Sequence, residues 1–292
     1  MNALSNQANV PITAPAESEE VSVDTLRARR RRRILVNSIR VLILVVFIGG
    51  WQFLTTVGII DPFFWGQPSG IWNQLVIWVT QGTAQGPLWQ QIAVTLEEAI
   101  IGFVIGVFFG VIFGVVLGRN RFLADVMSPF IKAANAIPRV TLAPLFVIAL
   151  GLGIQSKIAL AAVLVFFIVF FNAFQGVREV DRNLLANAQI LGASQRRLTT
   201  EVIIPSAMSW ILASLHISFS FALVGAVVGE YIGATQGLGL MIQYAGNTFN
   251  ANGVFAAMVV LAVVALTTEV LVTALENRLI RWRPNTAGEV TI

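Results

Sequence analysis

The stretch AIIGFVIGVFFGVIFGVVLG, residues 99–118, decides the fold class of this chain. It contains no charged residue and lies between Glu98 and Arg119. A helix of roughly 20 apolar residues is long enough to cross the hydrocarbon core of a bilayer, which is about 30 Å thick. Because the stretch has that length and composition, we interpret it as a transmembrane helix.

Glycine recurs at every fourth position of this stretch, at Gly102, Gly106, Gly110, Gly114 and Gly118. Rows of small residues at that spacing allow two helices in a membrane to pack closely. We therefore predict that this face packs against a neighbouring helix. A moving contact or a path for a substrate is the alternative interpretation of the same row.

Further uncharged stretches of similar length occur at residues 41–60, 158–177 and 202–229, and a last one covers about residues 253–275. Residues 122–150 are less regular, since they contain three prolines and three charged residues. Broken helices at membrane depth are tolerated where protein or a water-filled cavity shields the backbone. The pattern predicts an all-α membrane protein with about six transmembrane helices, of which the third is kinked and faces a cavity.

The composition agrees with a membrane protein and excludes several kinds of site. Of 292 residues, 56% are hydrophobic and 12% are charged, whereas a soluble domain is usually about one-quarter charged. The chain has no cysteine, which excludes disulfides, thiolate nucleophiles and cysteine ligands. Its single histidine, His216, excludes a site with several histidine ligands. We expect no metal and no cofactor to be bound by this chain.

The basic residues indicate membrane orientation rather than nucleic-acid binding, although the pI is about 10.3. Six arginines lie within residues 27–33, directly before the first apolar stretch, and the loops 61–96 and 230–252 contain no lysine or arginine. Cytoplasmic flanks of membrane spans carry an excess of these residues. Both termini are therefore predicted to be cytoplasmic.

The same features predict the organisation of the chain. Residues 1–33 are expected to be a disordered cytoplasmic tail with a basic cluster, residues 34–284 the transmembrane domain, and residues 285–292 a second cytoplasmic tail. No small-residue cleavage site follows the first apolar stretch, so we expect the first span to be retained.

The loop between the fourth and fifth spans has the most distinctive local pattern. Asp181 is placed to cap a short helix that Gly192 ends, and Ser194 is placed to cap a second turn. Pro205 is then expected to open the fifth span.

Gly192, twelve residues and then Pro205 resemble the cytoplasmic loop of binding-protein-dependent ABC permeases. The Glu-Ala-Ala triplet of that family falls on Ala186, Asn187 and Ala188, and the acidic residue is absent here. The chain is also similar to nitrate, sulfonate and taurine permeases over about residues 33–284. The matching segments are Ile137-Pro138, Leu142-Ala143-Pro144-Leu145, Gly151-Leu152-Gly153, Ser156-Lys157, and Glu230 followed by Gly237-Leu238-Gly239.

This resemblance implies the permease subunit of a type I ABC importer, with a cytoplasmic coupling helix between spans four and five. ATP and Mg²⁺ would be bound by a separate ATP-binding cassette subunit, because this chain has no Gly-x-x-x-x-Gly-Lys-Ser/Thr loop. The other implied partners are a second permease copy, an extracytoplasmic solute-binding protein and the lipid of the bacterial inner membrane. The residues implied to couple to the ATPase are Ala186, Asn187, Ala188, Gly192, Ala193, Ser194 and Pro205.

Ionisable and polar residues within spans are candidates for the solute pathway. They are Glu97 and Glu98 at the start of span two, His216 and Ser220 within span five, and Glu230 at its end. His216 is expected to share a polar strip with Ser214, Ser218 and Ser220. A hydrogen bond between packed helices is the alternative role for this strip.

The sequence leaves two alternative functions open, and it does not identify the solute. A self-sufficient secondary transporter is the main alternative, although six spans are few and no inverted repeat is evident. A membrane enzyme would need a cluster of His, Asp and Glu residues that the spans lack. The resemblance suggests nitrate, a sulfonate such as taurine, another small anion, or a vitamin-precursor heterocycle. The outer end offers Lys157 against Glu97, Glu98 and Glu230, a balance that does not favour a multiply charged anion.

Overall fold

The computed structural model describes residues 23–279, and within them the side chains of residues 30–181 and 183–274. In this part of the chain, the only β-pairing is an isolated bridge between Thr83 and Gly86. The helices are α1 (Val23–Thr56), α2 (Pro62–Trp65), α3 (Pro68–Thr80), α4 (Leu88–Arg119), α5 (Arg121–Ala136), α6 (Ala143–Leu150), α7 (Ile154–Arg178), α8 (Arg182–Ile190), α9 (Gln195–Arg197), α10 (Ile204–Ile232), α11 (Leu238–Asn247) and α12 (Ala251–Leu279). A 3₁₀ turn, Arg139–Leu142, precedes α6, and a π-helical turn, Leu198–Ile203, joins α9 to α10.

Five helical segments between residues 30 and 274 are long and apolar enough to cross a membrane: Arg30–Thr56, Leu88–Arg119, Ile154–Arg178, Gln195–Ile232 and Ala251–Ala274. Two further helical segments, Arg121–Ala136 and Arg139–Leu150, meet at 82° and make a sixth candidate when they are counted together as one bent span. The bend falls at Ile137, whose extended backbone agrees with the steric restriction on a residue before proline. The predicted all-α fold is confirmed with five to six candidate spans, and the predicted break within residues 122–150 is present.

Helices α4, α7 and α10 form the centre of the bundle. Their contact contains buried aliphatic side chains, most of them alanine and valine, namely Ala99, Val165, Val169, Ala222, Leu223 and Ala226. The glycine row of α4 lies directly against α7: a Cβ added at Gly106 would be only 2.6 Å from the carbonyl oxygen of Ala162. The backbone of α4 therefore lies directly against the backbone and side chains of α7, because glycine places no side chain between the two helices.

At the end of the bundle that is predicted to face outward, α3 and α11 pack on α12, and α11 also packs on α10. Trp78 of α3, Met241 of α11 and Ala256 of α12 belong to one buried cluster. The backbone N–H of Gln67 donates to Asn252 Oδ1 at 2.8 Å, which joins the start of α3 to the start of α12. Helix α1 contacts α3 at its outer end, and its apolar side chains at residues 34–48 are exposed on the protomer surface.

The loop between α7 and α10, residues 179–203, is named the inner loop after its predicted side of the membrane, and it has the predicted caps. Asp181 Oδ1 accepts from Asn183 N at 2.8 Å, Ser194 Oγ accepts from Arg197 N at 3.4 Å, and Gly192 has a left-handed φ of 81°. Pro205 lies in the first turn of α10, as predicted, and the helical segment continues on its N-terminal side through the π-helical turn to Gln195. Pro205 has no N–H to donate, and the wide turn before it, in which Ile204 N donates to the oxygen of Thr199, accommodates that loss.

The predicted boundaries of the tails are only partly within the described residues. Residues 23–33, which were expected to belong to the disordered tail, form the beginning of α1. The remaining tail residues, 1–22 and 285–292, lie outside the described residues.

Candidate functional site

A buried polar cluster lies at the outer ends of α4, α7 and α10. Glu230 of α10 is completely buried and accepts two hydrogen bonds, from Thr95 Oγ1 at 2.6 Å and from Gly239 N at 2.7 Å. Thr95 Oγ1 in turn accepts from Leu238 N at 2.9 Å, and Gln91 Oε1 accepts from Gly237 N at 2.8 Å. These bonds hold the loop that precedes α11 against the outer end of α4.

Glu98 and Lys157 complete this outer cluster. The carboxyl group of Glu98 lies next to that of Glu230, and its Oε2 atom is buried without a hydrogen-bond partner. Lys157 Nζ is buried and donates to the carbonyl oxygens of Leu152 and Gly153, at 2.7 and 3.1 Å. The structure thus brings together Glu98 and Glu230, two of the predicted pathway residues, inside the protein rather than on an open surface.

The other predicted pathway residues are elsewhere. Glu97 is exposed at the outer end of α4. His216 and Ser220 line a groove of about 290 Å³ between α10 and α12, together with Thr268 and Glu269. No part of the described structure tests whether these residues contact a solute, so their pathway role stays a prediction.

Glu269 is the groove residue that the sequence did not single out. Its Oε1 atom is 3.1 Å from His216 Nε2, so an imidazole and a carboxylate from two different spans form a polar pair in an otherwise mostly apolar groove. Both side chains are at least one-third exposed on the protomer, at 36% and 52%. The only signal in the sequence was a charged residue within the last span.

The prediction that four polar side chains share one face of α10 is wrong, because they lie on two faces. Ser214 and Ser218 are buried and donate to the helix's own carbonyl oxygens, those of Ile211 and Ser214, each at 2.6 Å. His216 and Ser220 face the groove instead. Polar side chains on α10 therefore divide into a packed set and a groove-facing set.

The residues predicted for coupling lie together on the inner loop. Ala186, Asn187, Gly192, Ser194 and Pro205 are exposed, and Ala188 and Ala193 are half-buried. Three large apolar side chains in or beside α8 are exposed as well: Leu184 by 54%, Ile190 by 83% and Leu191 by 87%. The loop thus presents an apolar surface beyond the inner ends of α7 and α10.

This arrangement of spans and loop can be compared with that of known proteins. Residues 102–281 match the family described as "Binding-protein-dependent transport system inner membrane component". The chain belongs to this family. The permease is 36% identical over 244 residues to the riboflavin transport system permease protein RibX of Chloroflexus aurantiacus, with 84% of this chain and 88% of the relative covered. It is 32% identical over 248 residues to the taurine transport system permease protein TauC of Escherichia coli, with coverage of 85% and 89%.

The permease also shares its fold with a solved transporter. An inward-facing structure of the methionine ABC transporter MetNI matches with a TM-score of 0.52 and 22% identity, over 66% of this chain and 93% of that chain. The family and the fold together identify this protein as the permease subunit of an ABC importer, located in the inner membrane. The alternatives of a self-sufficient secondary transporter and of a membrane enzyme are therefore set aside.

Proposed function

We propose that this permease forms one half of a translocation pathway and that a second copy forms the other half. Separate ATP-binding cassette subunits bind and hydrolyse ATP with Mg²⁺ on the cytoplasmic side, where both termini and the inner loop lie. An extracytoplasmic solute-binding protein delivers the solute at the opposite end. Family membership supports the ATPase and solute-binding partners, and the positions of the basic residues support the orientation.

The exposed apolar patch of Leu184, Ile190 and Leu191 carries the proposal. A concentrated apolar patch on a protein surface is typical of a protein–protein interface. The patch lies on and just after a short helix that begins at the Asp181 cap and is followed by Gly192. Because this helix connects α7 to α10 through short turns, a partner that moves it can displace both spans as rigid bodies.

The substitution Leu191→Glu tests the docking surface. Burying a leucine contributes about 1.5–3 kcal/mol, so replacing it with a charged side chain should weaken binding of the ATPase subunits by at least about tenfold. Recovery of those subunits with the purified permease and ATP hydrolysis by the reconstituted complex are the two measurements. The control is Thr200→Glu, which adds the same charge at an exposed position of the same loop.

Two results would contradict the proposed docking surface. One is recovery and ATP hydrolysis at the parental level for Leu191→Glu. The other is an equal loss of recovery in both variants, since that would reflect the added charge and not the apolar patch.

The groove between α10 and α12 supports a solute class. Its walls are mostly apolar, and His216 and Glu269 are the only ionisable side chains among the described residues that line it. A neutral or weakly charged heterocycle can stack on apolar walls and form hydrogen bonds to an imidazole–carboxylate pair. Nitrate or a sulfonate such as taurine would meet a carboxylate and no lysine or arginine there, so we propose a heterocycle of the vitamin-precursor kind.

Mass spectrometry of the solute that copurifies with the partner solute-binding protein tests this class. An aromatic heterocycle is the expected ligand, and RibX, a relative named for riboflavin transport, is consistent with that expectation. TauC is named for taurine transport, and a sulfonate or another inorganic or organic anion as the ligand would refute the heterocycle class without affecting the docking surface.

A further inference from the structure

A polar cavity of about 320 Å³ lies at the inner end of the bundle. Three arginines from three segments line it: Arg119 at the end of α4, Arg121 at the start of α5 and Arg178 at the end of α7. Its opposite wall is formed by the inner loop, including Gln189 and Gln195. The cavity volume is about ten times the roughly 30 Å³ that one water occupies in the liquid, which is enough for a hydrated phosphate group.

The lining of the cavity that the structure describes is positively charged. No described carboxylate lines it, and none of the three arginines forms a salt bridge with another described residue, although the Arg178 guanidinium lies 5.2 Å from the centroid of the Phe174 ring. The carboxylates of the adjoining loop have other partners: Glu179 accepts from Gln175, Asp181 caps α8, and Glu201 pairs with Arg197. Guanidinium groups with two amide side chains opposite them are suited to a phosphate oxyanion.

The depth and surroundings of the cavity favour a lipid as the source of that phosphate. Arg119 and Arg178 end two membrane-spanning helices, so they lie near the level of the lipid headgroups. Helix α5 begins in the cavity wall and exposes an apolar stripe, Phe122, Val126 and Phe130, at four-residue spacing. Excess positive charge on an inner flank sets orientation, but it does not require three arginines to share one cavity beside an apolar stripe.

We infer that this cavity binds the phosphate headgroup of an anionic phospholipid of the inner leaflet, whose acyl chains lie along the exposed stripe of α5. Basic pockets between spans on the cytoplasmic side have the chemistry for such headgroups. Because Leu185, Gln189 and Gln195 of the inner loop also line the cavity, the bound headgroup connects the loop to the ends of α4 and α7. This connection makes coupling sensitive to anionic lipid, a consequence that rests on the proposed role of the loop.

Binding is measured on the full-length permease without ATPase subunits, so that it is independent of the proposed coupling. Phosphatidylglycerol is titrated into permease in neutral detergent, with phosphatidylcholine as the comparison lipid, and bound lipid is counted by native mass spectrometry. At about fivefold per basic residue, Arg119→Gln/Arg178→Gln should weaken phosphatidylglycerol binding by about 25-fold. The control Arg196→Gln/Arg197→Gln removes two charges from the inner loop outside the cavity and should retain the parental affinity.

Further measurements distinguish a lipid phosphate from a soluble phosphate as the bound group. Arg119→Lys/Arg178→Lys keeps the charge and should restore most of the binding, which excludes misfolding as the cause of the loss. Equal affinity of the two double Gln variants for phosphatidylglycerol would overturn the inference. Inorganic phosphate that displaces the lipid at similar concentrations would also overturn it, in favour of a soluble anion.

The last measurement uses the complex of the permease with its ATPase subunits. In nanodiscs, phosphatidylglycerol should raise ATP hydrolysis by the parental complex and have no such effect on Arg119→Gln/Arg178→Gln. If that variant instead loses its ATPase subunits equally in phosphatidylcholine and in phosphatidylglycerol, an acidic segment of the ATPase occupies the cavity and the lipid is excluded.

Discussion

The contact between α4 and α7 can be tested by adding a single carbon atom. A Cβ on Gly106 would lie 2.6 Å from the carbonyl oxygen of Ala162 and 2.6 Å from Val165 Cβ. A Cβ on Gly110 would lie 2.9 Å from Val169 Cβ. Ordinary contacts begin at 3.4 Å, so either substitution must move one helix by about 0.5–1 Å, which forfeits a quarter to a half of each neighbouring dispersion contact.

The expected cost follows from that displacement. Overpacking a close contact costs about 1–3 kcal/mol per site, and alanine gains about 1 kcal/mol over glycine in a helix. The control Gly49→Ala makes the same gain on α1, where an added Cβ meets nothing within 4 Å. The difference in unfolding free energy between Gly106→Ala and Gly49→Ala therefore isolates the clash and should be about 1–3 kcal/mol.

The assay is unfolding of the purified permease in mixed micelles of increasing SDS content, followed by tryptophan fluorescence. The double substitution Gly106→Leu/Gly110→Leu introduces larger side chains than alanine and should abolish recovery of folded permease. Membrane insertion should stay favourable, because leucine is apolar. Equal unfolding midpoints for Gly106→Ala and Gly49→Ala would refute the close contact. Parental solute uptake by the double leucine variant would refute it as well, since the row would then face lipid.

Two more predictions concern the outer cluster and the orientation. Glu230→Gln should lower the unfolding free energy by about 1–3 kcal/mol, because Thr95 and Gly239 donate to different carboxylate oxygens and one of these atoms becomes an NH2 group, which cannot accept. The exposed control Glu97→Gln should leave the unfolding free energy unchanged, and equal losses in both variants would contradict the special role of the cluster. Cysteine at the exposed Ala84 should react with an impermeant thiol reagent outside intact cells, and cysteine at the exposed Thr200 should not. The native chain has no cysteine, so reversed labelling would directly exclude the proposed orientation.

The spans were predictable because a bilayer imposes length and composition on each one separately. Uncharged stretches between charged residues located five spans, and the prolines and charges of residues 122–150 indicated the break that the structure places at Ile137. The caps Asp181 and Ser194 were predictable for the same reason, since each acts within one turn of its own position.

Pairings between spans could not be predicted from one sequence. His216 and Glu269 are 53 residues apart, and Thr95 and Glu230 are 135 residues apart, so no local pattern connects them. The division of α10 into two polar faces is different, because it follows from helix geometry. At about 100° per residue, Ser218 lies about 40° from Ser214, whereas His216 lies about 200° away, on the opposite side. The error was to treat residues two apart as sharing a face.

Helix α10 connects the buried cluster, the groove and the inner loop. Its outer end is held by the two hydrogen bonds of Glu230, its middle presents His216 to the groove, and its inner end continues without a break through the π-helical turn into the loop after α8. A continuous helix transmits displacement along its length. With the loop in the proposed docking role, movement of the inner end must therefore swing His216 relative to Glu269, while the outer end stays attached to α4 and to the loop before α11. The buried cluster of Glu98, Lys157 and Glu230 then acts as the fixed point of that movement, whereas the His216–Glu269 pair lies in the partly exposed groove.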